Sequence, residues 1–149
     1  MIHLAAVEAS HRQGSQAEEI GFCSYCGRVG GDERQRVCRA CGLGVQLRTD
    51  AEALKSEGAP FLIVRADGTV SAMSASAEKE FGDLVARQLL SVLEARELPA
   101  AVAAAAEGKG GVVRLLARPL VGRRFRSQAH VTVAPCADPP AALVVVERA

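Results

Sequence analysis

The sequence predicts an α+β chain in two unequal parts, and three observations predict it. Four of the five cysteines fall in a glycine-rich stretch, residues 21 to 48, that holds almost no large apolar side chains. From Pro60 onward the pattern becomes two short apolar runs, a helical section and three further apolar runs. Between these parts, residues 49 to 59 read as a polar linker. Residues 1 to 20 read as a tail or a short helix with Ile2, Leu4 and Val7 on one side.

Bulk properties narrow the function classes. The chain has 149 residues, 49% of them apolar, so a core can be buried; with 3% aromatic residues, Val, Leu and Ala must build it. A net charge of +1 argues against bulk DNA or an anionic membrane as a whole-surface partner. No apolar run approaches the roughly 18 residues of a membrane span. The opening Met1-Ile2-His3-Leu4 lacks a basic leader region. The expectation is a cytoplasmic protein with reduced thiols, in which cysteines bind metal or stay free.

The cysteines are spaced for a metal. Cys23-Ser24-Tyr25-Cys26-Gly27 and Cys38-Arg39-Ala40-Cys41-Gly42 form two C-x2-C-G pairs separated by eleven residues. Two residues between ligands let one tight turn aim both thiolates at one ion, and the following glycine lets backbone amides approach the sulfurs. Four thiolates in a tetrahedron suit zinc best. Rubredoxin-like iron and a pair of redox C-x2-C motifs are the alternatives, although a redox pair normally sits in a βαβ unit that is missing here. The array resembles a zinc ribbon of the C-x2-C-G knuckle type over residues 21 to 48. With every position filled by protein, such a zinc is structural, and Cys23, Cys26, Cys38 and Cys41 are its ligands. Arg28, Arg34, Arg36, Arg39 and Arg48 make this section modestly basic, partly offset by Asp32, Glu33 and Asp50.

Elements of the second part follow in order. Phe61 to Arg65 and Thr69 to Met73 are strands joined at Asp67-Gly68, a dipeptide that tolerates the positive φ of tight turns. Ser74 caps a short helix through Phe81, ended by Gly82. Leu84, Val85, Leu89, Val92 and Leu93 recur at helical spacing within Asp83 to Ala106, where Pro99 starts a second helix. Val112 to Arg118, Phe125 to Ala134 and Ala142 to Glu147 are strands separated by turn residues.

Residues 59 to 82, a strand, an Asp-Gly turn, a strand and a capped helix ending in Phe-Gly, resemble the opening of PAS domains, with Ser74 at the usual Asn cap. The resemblance covers residues 60 to 149. It implies a five-stranded antiparallel sheet in the order 2-1-5-4-3, with helices on one face. Phe61 to Val64 and Leu143 to Val146 are apolar throughout, as in strands covered on both sides. Val113, Leu115 and Ala117 alternate with Arg114 and Arg118; Phe125, Ala129, Val131 and Val133 alternate with Arg126, Gln128 and His130. The outer face is then apolar in its middle and needs a cover: the N-terminal segment, the ribbon or a second copy.

PAS domains sense ligands or bind partners. Haem and flavin are not expected, because residues 74 to 108 contain no histidine and the helices no cysteine. A small apolar ligand would lie among Leu84, Leu89, Leu93, Val113 and Phe125, which otherwise form a filled core. Lys109, Arg114, Arg118, Arg123, Arg124 and Arg126 make a basic strip without an intervening acid, suited to phosphates, to an acidic protein, or simply to solvent. Cys136 has no complementary base and reads as a bystander thiol.

No nucleophile elbow, phosphate-cradling Gly-Lys loop or His-Glu metal pair is present, and His3, His11 and His130 have no partners at catalytic spacing. The expectation is therefore a non-enzymatic regulatory or signalling protein. It would act through a protein partner, or as a dimer through the outer sheet face. The alternatives are a nucleic-acid or RNA-polymerase-binding factor and a small-ligand or cofactor sensor.

Overall fold

The computed structural model describes residues 19–30, 35–55, 58–122 and 128–148. Strands β1 (Glu19–Cys23) and β2 (Gln46–Asp50) pair antiparallel, with Phe22 opposite Leu47. Strands β3 (Phe61–Val64) and β4 (Val70–Met73) form the expected hairpin. Gly68 takes φ 86° in its turn, and the Asp67 carboxylate accepts the Thr69 amide at 2.9 Å. Helix α1 (Ala75–Phe81) starts where the Ser74 hydroxyl accepts the Ala77 amide at 3.1 Å, and stops at Gly82 with φ 79°. Strand β5 (Leu93–Glu94) precedes helix α2 (Leu98–Ala106), which carries Pro99 in its first turn. Strands β6 (Val113–Pro119), β7 (Ala129–Ala137) and β8 (Ala141–Arg148) complete the chain.

The expected α+β architecture, a five-stranded PAS-like sheet with helices on one face, is overturned. Described residues are 41% strand and 16% helix, with two α-helices, and the antiparallel sheet curls into a half-barrel. One reason lies between Asp83 and Glu97, where a helix was expected. Ala86 sits at φ 74°, which a right-handed helix excludes. The Val70 amide donates to the Arg87 carbonyl and the Ala86 amide to the Val70 carbonyl, at 2.9 and 2.8 Å, drawing this segment alongside β4. A single 3₁₀ turn, Leu89–Ser91, then leads into β5, which pairs with β6.

The second reason is that the cysteine segment joins the sheet. The strand order is β1-β2-β7-β8-β3-β4, with β6 beside β7. One edge of β7 pairs with β8 along its length. The other edge is divided: Ala129 to Val133 pair with β6, whereas Cys136 and Ala137 pair with Thr49 and Arg48 of β2. The neighbours β4-β3-β8-β7-β6 keep the order expected for them, but they are part of a larger surface. Strand β2 runs across the boundary drawn at residue 48, and the polar-looking linker buries Ala53 and Leu54.

Two clusters form the core, one on each side of β3 and β8. Leu62, Val64, Val144 and Val146 face inward with Leu84, Leu89, Leu93 and Val102. Phe61, Ile63, Leu143 and Val145 face outward and meet Phe22, Leu47, Ala53 and Leu54. The apolar outer strip thus finds cover within the same chain. Full burial is worth about 1.5–3 kcal/mol for each such large side chain. Phe22, Leu47 and Leu54 therefore bind the cysteine segment to the body by an energy on the order of several kcal/mol. No helix among the described residues is long and apolar enough to cross a membrane.

Candidate metal centre

Two short hairpins carry the cysteines. Phe22 bridges Val29 across the first, Val37 bridges Val45 across the second, and the Ser24 amide and hydroxyl tie them together through Val45. Each knuckle closes the same way. Gly27 donates to the Cys23 carbonyl at 3.2 Å and Gly42 to the Cys38 carbonyl at 2.8 Å, with φ of 76° and 71° that favour glycine.

The four sulfurs converge as the spacing predicts. All lie within 4.8 Å of one another, with Cys23 Sγ 3.6 Å from Cys41 Sγ and Cys26 Sγ 3.9 Å from Cys38 Sγ. An ion with tetrahedral metal–sulfur bonds of ~2.3 Å sets its sulfurs ~3.8 Å apart, so the constellation fits one. Backbone amides aim at the sulfurs: Tyr25 and Cys26 at Cys23, both at 3.4 Å, and Leu43 and Gly44 at Cys41, both at 3.5 Å.

These surroundings make the thiols unequal. The Gly44 and Leu43 amides pull Cys41 down to about 6, and the Cys41 amide lowers Cys38. Burial pushes Cys23 up to about 12 and raises Cys26. The second pair is disposed toward thiolate, while the first must release its protons as an ion is taken up.

Gly44 packs tightly against the cysteine cluster, a position that the spacing argument missed. A Cβ at this position would collide with the Cys23 sulfur and stand 2.7 Å from the Tyr25 amide nitrogen. The available signal was a second glycine two residues after the C-x2-C-G knuckle. Gly44→Ala is expected to weaken metal retention roughly 10–100-fold, as changes to ligand-supporting groups do, measured by competition with a chromogenic chelator. Retention equal to the native chain's would refute that role.

The centre is keyed to the body. The Tyr25 carbonyl accepts the Ala75 amide at 2.6 Å, occupying an otherwise unmet donor at the start of α1. Phe22 and Phe61 meet edge to face, with centroids 5.5 Å apart at 86°.

Other candidate residues are not assembled into sites. Leu84, Leu89 and Leu93 are packed members of the inner cluster, Val113 is half-buried on β6, and Phe125 lies outside the described residues. Within the basic strip, Lys109 approaches Glu107 at 3.9 Å, Arg114 approaches Glu52 at 3.6 Å, and Arg118 pairs with Glu94 at 2.8 Å. Glu52 and Glu94 arrive from distant parts of the chain. Arg123, Arg124 and Arg126 lie outside the described residues. His130 is exposed, as its alternation implied. Cys136 is buried within the outer cluster, which pushes its thiol up to about 12 and keeps it neutral. Comparison with protein-family models, curated proteins and solved structures finds no match to this chain.

Proposed function

We propose that this chain is a non-catalytic regulatory protein whose zinc ion is structural, fastening a cysteine ribbon over a half-barrel body that acts through a partner. One observation carries the reading: four cysteine sulfurs, each close to the other three, form a complete protein-supplied donor set. All-thiolate tetrahedra favour zinc among divalent ions that need no redox partner. A closed donor set leaves no position for substrate or activated water, so the ion supplies folding energy. A reducing compartment such as the cytoplasm keeps these thiols available. Leu43 and Val37, exposed at 72% and 51% beside the knuckles, offer a partner apolar contact at the ribbon's tip.

Native mass spectrometry tests the reading on protein produced with both zinc and iron in the medium. One zinc per chain, retained through dialysis, is the expected result. Iron in its place, or metal-free chains that are equally folded, would refute it.

A further inference from the structure

Among the described residues several cations are matched by acids, while three arginines of the ribbon are not. Arg48 pairs with Glu19, Arg65 with Asp67, Arg114 with Glu52 and Arg118 with Glu94. Arg28, Arg36 and Arg39 have no carboxylate partner among the described residues. Arg28 and Arg39 line a pocket of about 180 Å³ together with Gln35 and Gln46, on the flank of Cys38. Among the described residues, no carboxylate lines it.

That lining is a donor set. Guanidinium groups present forked N–H pairs that match phosphate oxygens, and glutamine amides add neutral donors. The arginines are not required as hydrogen-bond partners of the sulfurs, because backbone amides fill that role at Cys23, Cys38 and Cys41. A loaded tetrathiolate carries a double negative charge, which Arg28 and Arg39 offset, so an approaching anion is not repelled. The pocket is smaller than the roughly 300 Å³ at which sites for whole small molecules begin. It suits one group of a larger ligand, and Arg36, next to Gln35 in sequence, is exposed.

We infer that this pocket seats one phosphodiester of a nucleic-acid strand, with Arg28 and Arg39 gripping its oxygens and Gln35 and Gln46 fixing its orientation. The contact is to backbone and carries no base preference of its own. The assignment rests on the folded, metal-held ribbon proposed above.

The test uses the full metal-loaded chain and three fluorescent 12-nucleotide probes: single-stranded DNA, single-stranded RNA and duplex DNA. Anisotropy is followed from 25 to 200 mM salt, and metal content is read on the same samples. At least one probe should bind. Arg28→Gln/Arg39→Gln should weaken binding about tenfold or more and flatten the log–log salt slope by roughly 0.7–0.9, the value for one phosphate. Arg114→Gln/Arg118→Gln, which alters acid-paired residues, should leave both quantities unchanged. The inference is overturned if no probe binds at 25 mM salt, or if the Arg28/Arg39 variant binds like the native chain while still holding its ion. It is equally overturned if inorganic phosphate or a phosphopeptide binds and the strands do not. Metal-free native protein would instead defeat the zinc reading, whatever the probes do.

Discussion

Replacing Cys38 and Cys41 together by serine should abolish metal binding and free residues 21–50 from the body. Structural zinc in small cysteine domains contributes an apparent ~10–16 kcal/mol of folding free energy, far more than ribbon packing supplies alone. Amide exchange should therefore accelerate by ~10³-fold or more along β1 and β2, corresponding to about 4 kcal/mol of lost protection. The Ala75 amide should lose protection with them, because its acceptor is a knuckle carbonyl. Inner-cluster strands should retain more protection, since Leu62, Val64, Val144 and Val146 are packed from the other side. Exchange in β1 and β2 that matched the native chain would refute the metal's organising role.

Phe61→Ala should carry the largest cost of any body substitution. The ring is 1% exposed, meets Phe22 edge to face, and lies 3.4 Å from where a Gly27 Cβ would stand. Emptying such a site typically costs about 3–5 kcal/mol. The backbone at Phe61 should survive, because its amide donates to the Ser74 hydroxyl and its carbonyl accepts the Ser74 amide, both at 3.0 Å. Urea titration should show the loss in stability, and chelator competition should show easier metal release, because Phe61 links ribbon to body. Leu89→Ala, in the inner cluster, should lower stability by about 2–5 kcal/mol while leaving metal release unchanged. Equal metal release by the two variants would refute the linkage.

The parts of this structure that were legible in sequence are those set by local chemistry. Two C-x2-C-G pairs specify a converging donor set because each tight turn limits where its sulfurs point. Ser74 and Gly82 bound α1 through hydrogen bonding and φ preference that involve only their neighbours. The uninterrupted apolar runs at Phe61–Val64 and Leu143–Val146 announced strands covered on both sides, and every one of these residues is buried.

What escaped was decided at a distance. Leu84, Leu89, Val92 and Leu93 are buried as helical spacing suggests, yet Val85 is 45% exposed and the segment is built of turns, because pairing between Val70 and residues 86–87 outweighs helix propensity. Ala53 and Leu54 look incidental within a polar run, and only the outer strip waiting beside them gives them a role. The strip from Lys109 to Arg126 looks unopposed because Glu52 and Glu94, which pair with Arg114 and Arg118, are far away in sequence. Gly44 could not be ranked above the other glycines until the Cys23 sulfur was placed against it.

The divided edge of β7 gives loss of the ion a particular character. A ribbon that lets go does not merely dangle: it strips hydrogen-bonding partners from Cys136 and Ala137 and unroofs Phe61, Ile63, Leu143 and Val145 in the same event. Raw strand margin and oily surface would then lie side by side, the combination that invites a neighbouring chain to add itself on. On the proposed reading, a bound ion would thus guard against mispairing as well as fasten the ribbon.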